Sequence, residues 1–132
     1  MFSPELAAAA SALAEADLAE PPAERFLCSH LAALRVAAAV LACRASTGRG
    51  SRPRDVWQVL AEVAPEYAEW AGFFASSALK RRAVQAGAVA LVSIREADDL
   101  LRDVRLFHDQ VAGRLARVSS GQAQRSSVRI VS

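Results

Sequence analysis

The chain of 132 residues has the length of a single domain, and its formal net charge of +2 excludes a strong global field. Hydrophobic residues make up 53% of it, but many are alanine, which favours helix and contributes little buried area. The N-terminus carries acids and lacks the basic segment of a signal peptide. The longest apolar run, residues 31–43, contains Arg35 and is too short to span a bilayer. We therefore expect a cytoplasmic protein with no membrane association.

Charge is distributed unevenly along the chain. Residues 1–24 contain acids and no bases, whereas residues 113–132 contain arginines and no acid. The arginines of the C-terminal segment are Arg114, Arg117, Arg125 and Arg129. Such asymmetry is typical either of an interaction tail or of solvated surface.

Two helices are predicted in the first third of the chain. Ser3, Pro4 and Glu5 form a start signal for the first helix, which Pro21 and Pro22 end. The second helix runs to about Ala45. Its apolar residues fall into two stripes, one with Phe26, Leu27, Leu31, Leu34, Ala38 and Leu41, the other with Ala33, Val36, Val40 and Cys43. A helix that is apolar on two faces is surrounded by others, so we expect it to be central.

A glycine- and proline-containing loop at residues 46–54 separates this pair from a third helix, which begins near Asp55. Pro65 removes a backbone donor, so the third helix is expected to kink or split there before Gly87 stops it.

The fourth helix has the clearest pattern. Ser93 and Glu96 form a capping box, and apolar residues then recur at helical spacing as far as Val118. We expect residues 119–132 to be a flexible tail. The sequence predicts an all-α, up-down antiparallel four-helix bundle over residues 1–118, with four or five helices depending on the break at Pro65.

A dense group of aromatics follows Pro65. Tyr67, Trp70 and Phe74 share one arc of a helical wheel and are expected in the core, whereas Phe73 falls outside that arc. Two interpretations of Phe73 stay open. It is either a single partly exposed apolar residue or a contact in a dimer.

Two pairs of side chains carry the chemistry of a ribonuclease. Arg25 precedes His30 by five residues, and Arg105 precedes His108 by three. In each pair the arginine would bind phosphate and the histidine would act as acid or base. The alternative is structural: His30 lies within a leucine stripe and would be a core histidine, and Arg105 with His108 would be surface groups beside an ion pair.

The remaining charged groups suggest structural and nucleic-acid roles. Arg35 on a central helix requires a partner, and Asp103 or Glu69 is expected to form a structural ion pair with it. Two basic clusters are candidates for phosphate contacts: Arg49, Arg52 and Arg54 in the loop, and Lys80, Arg81 and Arg82 near the end of the third helix. No metal-ligand spacing or cofactor motif is present in the sequence.

Three segments together resemble an actinobacterial branch of the HEPN superfamily over roughly residues 22–118. They are "HLAALRVAAAVLACRA", "DVWQVLAEVAPEYAEWAGFFA" and "SIREADDLLRDVRLFHDQV". The resemblance implies a bundle of four or five helices that often dimerises and has an RNA-related or nucleotide-related activity.

Many proteins of that superfamily are metal-independent endoribonucleases with an Arg-x(4–6)-His motif, to which both protomers of a dimer contribute. Arg25 and His30 fit that spacing, although the motif of the family stands in a later helix, with a polar residue after the arginine. The resemblance thus implies a homodimer that binds RNA or a nucleic-acid-associated protein, either as a ribonuclease or as a noncatalytic binder. The alternative is a helical adaptor or dimerisation module with no enzymatic role.

Overall fold

A computed structural model describes residues 3–44 and 55–131, and gives no account of the side chains at 119 and 122–131. Within these residues every element is helical, which confirms the predicted all-α class. The α-helices are α1 (Pro4–Leu18), α2 (Pro22–Cys43), α3 (Val56–Val63), α4 (Ala68–Gln85) and α5 (Ile94–Val131). Short 3-10 turns at Pro65–Tyr67 and Val89–Leu91 precede α4 and α5 respectively.

The helices begin where the capping signals predict. Ser3 Oγ accepts a hydrogen bond from the Leu6 amide at 3.1 Å, which starts α1. At the start of α5, Ser93 Oγ accepts from the Glu96 amide at 3.0 Å and Glu96 Oε1 accepts from the Ser93 amide at 3.2 Å. This reciprocal pair is the predicted capping box.

The break at Pro65 produces two helices. α3 ends at Val63, the 3-10 turn follows, and α4 starts at Ala68, so the third predicted helix is split rather than kinked. Gly87 adopts φ of 113°, a backbone conformation that side chains rarely tolerate, just after α4 ends. With α4 closed in this way, the described residues form the five-helix version of the predicted bundle.

Three ion pairs between helices show the up-down arrangement. Arg25 near the start of α2 contacts Asp98 near the start of α5 at 2.5 Å, so these two helices run parallel. Lys80 near the end of α4 pairs with Glu96 at the start of α5. Arg44 after α2 pairs with Glu66 before α4. α2 contacts all four other helices, which confirms its predicted central position.

The leucines of α2 lie at the edge of the core rather than inside it, and Leu27 and Leu34 pack partly against it. The most buried residues of α2 are Ala, Val, Ser and His together with Phe26, whereas Leu31 is 37% exposed. We call the partly exposed residues Leu27, Leu31, Leu34, Arg35 and Leu41 the α2 outer face. By length and composition α2 would also pass as a membrane span, but half of that apolar window is buried inside the bundle.

Arg35 is exposed on this outer face, and the expected ion pair is wrong. Among the described residues it has no ion-pair partner, and Asp103 interacts instead with Arg102 at 3.9 Å. The expectation failed because α2 is covered on only part of its circumference, so Arg35 keeps its contact with water and needs no carboxylate. Glu69 likewise lies exposed on α4.

Small side chains make up most of what the first two helices bury. α1 buries Ala9, Ala12, Leu13 and Ala16, and it packs mainly against α2. α2 in turn buries Ala32, Ala33, Ala37 and Ala39. Alanine lets two helices approach closely while contributing little area.

α5 is longer than the bundle it joins. It has 38 residues, about 57 Å at the rise of an α-helix, against 22 residues in α2. Its last fully buried residue is Val111, and Leu115 is partly buried. The helix therefore does not end at Val118 as predicted but continues to Val131. The flexibility of residues 119–132 stays a prediction.

Candidate functional site

His30 lies inside the core, where it is 0% exposed. Its Nδ1 is 3.0 Å from Ser77 Oγ. Because the Ser77 hydroxyl donates to the Phe74 carbonyl at 3.0 Å, we assign the proton to Nδ1, which donates to Ser77. Burial, helped by the charge of Arg81, lowers the pKa of His30 to about 4. His30 is therefore neutral at pH 7 and out of reach of a substrate.

Arg25 is fully engaged in structural contacts. Its Nε donates to the Ala16 carbonyl at 3.0 Å, Nη2 to the Asp17 carbonyl at 3.1 Å, and Nη1 to Asp98 at 2.5 Å. These bonds join the end of α1 to α2 and α5. Arg25 and His30 thus face different neighbours, and the fold does not bring them together in one chain.

The second pair is also separated by its contacts. Arg105 Nη2 is 3.0 Å from Asp17 Oδ1, and His108 Nδ1 is 3.1 Å from Asp109 Oδ1. The side chain of His108 is 20% exposed, so it is the more accessible of the two histidines in the sequence. Each residue has its own carboxylate partner, and the two do not form a joint phosphate site.

The predicted basic clusters have different fates. Lys80 is paired with Glu96, Arg81 is half-buried near His30, and Arg82 is exposed. They do not form one free cationic surface. Arg49, Arg52 and Arg54 lie outside the described residues, and their predicted role stays a prediction.

Three arginines that the sequence did not connect meet around Glu66. Arg44 Nη1 donates to Glu66 Oε1 at 3.1 Å and to the Val63 carbonyl at 3.3 Å, and Arg114 Nη2 lies 3.7 Å from Glu66 Oε2. Arg117 borders a depression of about 360 Å³ that Glu66, Asp109 and Arg114 also line. We call Arg44, Arg114 and Arg117 the basic pole.

The hydrogen bond from Arg44 is the main cause that lowers the pKa of Glu66 to about 2, so Glu66 is ionised and offsets one of the three charges. The only sequence signal for the basic pole was the run of arginines without acids after Gly113.

A groove lies between α4 and α5, and it is lined by charged side chains of both helices. Two depressions of about 420 and 460 Å³ share Phe73 and Asp103 and form what we call the α4–α5 groove. Its charged lining consists of Glu66, Glu69, Lys80, Glu96, Asp99, Arg102 and Asp103. Acids outnumber bases there. Burial is the main cause that raises the pKa of Asp103, and the nearby carboxylate of Asp99 adds to it, while Arg102 opposes the shift.

The aromatics on the wall of the groove follow the predicted division. Phe74 is 0% and Tyr67 6% exposed, and the Trp70 ring stacks on Phe74 at 5.6 Å while Nε1 donates to Gln110 at 2.9 Å. Phe73 is 43% exposed. The core arc is confirmed, and Phe73 is the single residue of the group that presents much of its ring to the surface.

Within the described residues, no three His, Cys, Asp or Glu side chains are arranged to hold a metal ion. What the fold presents is an all-helical bundle with a basic pole, an acid-rich groove and a buried histidine.

The family model described as SAV_6107-like HEPN matches residues 16–112. The chain therefore belongs to this HEPN family, and the match extends further towards the N-terminus than the resemblance that begins near residue 22. Neither the search of curated proteins nor the search of solved structures returned a match.

Proposed function

We propose that the protein is a noncatalytic HEPN domain that binds RNA through the basic pole and acts in the cytoplasm. The observation that carries the proposal is the convergence of Arg44, Arg114 and Arg117 from two helices on one end of the bundle. Guanidinium groups are well suited to phosphate because each offers several fixed donors.

The sequence adds positive charge next to this site. The segment of residues 45–54 connects Arg44 to Asp55 and contains Arg49, Arg52 and Arg54. The sequence-based prediction that Arg49, Arg52 and Arg54 contact phosphates extends this proposal. The concentration of charge at one end explains how a protein of net charge +2 could still bind a polyanion.

The absence of a joined Arg–His pair supports binding rather than cleavage. A general acid or base must come within about 3 Å of the ribose or leaving oxygen, and a histidine with 0% exposure cannot do so without unfolding its surroundings. Arg25 would in addition have to give up bonds to Ala16, Asp17 and Asp98.

Titration of a fluorescent single-stranded RNA at increasing salt tests the binding proposal. We expect the double variant Arg44→Gln with Arg114→Gln to bind more weakly than wild type. The slope of log affinity against log salt should also fall by about 1.4 for the two lost contacts. The charge-matched control is Arg82→Gln with Arg95→Gln, whose exposed arginines lie towards the opposite end of the bundle. Equal loss in both variants, or no binding at low salt, would contradict the proposal.

Removing the internal acid of the basic pole should have the opposite effect. In Glu66→Gln the partner of Arg44 and Arg114 loses its charge, so we expect the RNA affinity to rise severalfold at low salt and the gain to shrink at high salt. Glu69→Gln, a removal of the same charge a few residues away, is the control. Weaker binding by Glu66→Gln would show that Glu66 positions the arginines rather than competing for them.

Incubation with RNA tests the proposal that the protein does not cleave RNA. We expect RNA to stay intact with wild-type protein, and the His30→Ala and His108→Ala variants to give the same result. Cleavage that disappears in either variant while the protein stays folded would show an endoribonuclease and overturn this part.

The α2 outer face supports a second candidate, a helical adaptor with no RNA role. Leu31 is 37% exposed between other partly exposed leucines, and a protein partner could cover them. Exposed apolar patches of this kind often mark interaction surfaces. The adaptor becomes the better explanation if the salt titration shows no RNA binding.

A further inference from the structure

One face of α5 carries acids in its first half and bases in its second half. At 100° per residue, Glu96, Asp99 and Asp103 fall within an arc of about 60°, and Arg114 and Arg117 fall within the same arc. Gln110 stands on this face between the acids and the arginines.

Such a face is complementary to itself when two helices run antiparallel. If the crossing point lies at Gln110, residues whose numbers add up to about 220 come opposite each other. Arg117 of one copy then lies opposite Asp103 of the second copy. A parallel arrangement would instead place acids against acids, which is unfavourable.

The bundle leaves room for a second helix at this place. The acids of the face line the α4–α5 groove, whose opposite wall includes Phe73 and Ser76 from α4. From Glu96 to Gln110 the groove is about 21 Å long. The part of α5 beyond its last buried residue, Val111, is at least as long and is available to fill it.

Apolar contacts accompany the charges. Phe73, 43% exposed, stands beside Asp99 and Asp103 in the groove, and Val118, 50% exposed, follows Arg117 on α5. In the antiparallel register Val118 of the second copy approaches Phe73. An exposed aromatic beside a charged groove is a typical anchor of a protein interface.

Two charged residues of this face, Arg117 and Asp103, lack a close ion-pair partner within the described part of the chain. Arg117 has no ion-pair partner among the described residues, and Asp103 has only the distant contact with Arg102 at 3.9 Å. We propose that two copies form a dimer in which their α5 helices pack antiparallel about Gln110, each placing Arg117 beside Asp103 of the other.

Charge reversal tests the proposed register. The association constant should be measured by analytical ultracentrifugation for wild type, Arg117→Glu, Asp103→Arg and the double variant. We expect each single variant to weaken the dimer at least about tenfold and the double variant to restore it. A monomeric wild type throughout the micromolar range, or a double variant as weak as the singles while still folded by circular dichroism, would overturn the proposal.

Arg35→Glu is the matched control because Arg35 is exposed on the α2 outer face, the other apolar surface that could dimerise. We expect the dimer of this variant to match wild type. If Arg35→Glu dissociates the dimer and Arg117→Glu does not, the α2 outer face is the interface and the present proposal is wrong.

A cross-link tests the crossing point without reversing any charge. In a background with Cys28→Ser and Cys43→Ser, Gln110→Cys should form a disulfide with the second copy on mild oxidation. Leu106→Cys, also exposed on α5, should not, because in this register residue 106 lies opposite residue 114. Equal cross-linking of the two variants, or cross-linking of Leu106→Cys alone, would overturn the register.

Discussion

His30 donates one hydrogen bond to Ser77 and leaves its Nε2 without a partner among the described residues. In the unfolded chain the imidazole of His30 is in contact with water and has a pKa near 6.5. In the folded protein its pKa is lowered to about 4. The lowered value means that protonation favours unfolding. Stability that depends on the neutral ring is present above about pH 6.5 and is lost as the pH falls towards 4.

We expect the free energy of unfolding to fall by about 3 kcal/mol more in wild type than in His30→Gln between pH 7 and pH 4. Glutamine can still donate to Ser77 but does not titrate, so the difference between the two proteins isolates His30 from carboxylates such as Glu66. Urea unfolding at several pH values measures it. Parallel stability curves for the two proteins would contradict a buried, neutral His30.

Two neighbouring phenylalanines allow a matched test of burial. Phe74 is 0% exposed and contacts the rings of Trp57, Trp70 and Phe107, whereas Phe73 is 43% exposed. We expect Phe74→Ala to cost about 3–5 kcal/mol of unfolding free energy and Phe73→Ala about 1 kcal/mol. Chemical denaturation of both at low protein concentration checks this. Similar costs would mean that Phe73 is packed more fully than its exposure indicates.

At the scale of the element, local signals in the sequence set the helix starts. The reciprocal bonds of Ser93 and Glu96 satisfy two amides at the start of α5. We expect Ser93→Ala to lower stability by about 1 kcal/mol. Ser76→Ala, which changes an exposed serine inside α4, is the control and should leave the thermal midpoint nearly unchanged. A loss of equal size in both would show that the cap contributes nothing.

The helices themselves were predictable, but the direction that α2 faces was not. Pro65, Gly87 and the capping box act on neighbouring backbone, so their effects follow from the sequence alone. The choice between the leucine stripe and the Ala–Val stripe of α2 depends on which side α1 and α5 cover. Arg35 was therefore assigned a partner that an exposed residue does not need.

The candidate sites, like the orientation of α2, depend on contacts between residues that are far apart in the sequence. The separation of Arg25 from His30 depends on Asp98, 73 positions further along the chain, and no local pattern indicates that pair. The meeting of Arg44 with Arg114 likewise requires the end of α2 to lie beside α5. The sequence showed only that arginines are concentrated after residue 113.

At the scale of the whole molecule, the proposed associations depend on where charges are concentrated and not on the small net charge of the chain. The acids of the α4–α5 groove and the arginines of the basic pole lie at different places on one small bundle. Salt should therefore weaken two associations, one with RNA and one between copies. Arg117 takes part in both, so a variant at another position is needed to separate them.

This gives a prediction for the complete protein. We expect Asp103→Arg to weaken self-association while the affinity for a short RNA falls by less than about threefold, since Asp103 does not border the basic pole. Ultracentrifugation and RNA titration of the same preparation measure the two effects. A loss of RNA binding in proportion to dissociation would instead show that RNA needs both copies.

The buried alanines of α1 and α2 have a consequence for how this protein can evolve. A single base change converts any alanine codon into a valine codon. Ala12 and Ala33 are buried, so we expect the two added methyl groups of valine to overpack the core there and lower stability. Drift through the commonest small replacements is thus disfavoured at these positions, whereas the outer alanines of α1, such as Ala10 and Ala14, remain free to vary. Among members of this family, we then expect the small residues at the buried positions of α1 and α2 to vary less than the charged residues on the surface.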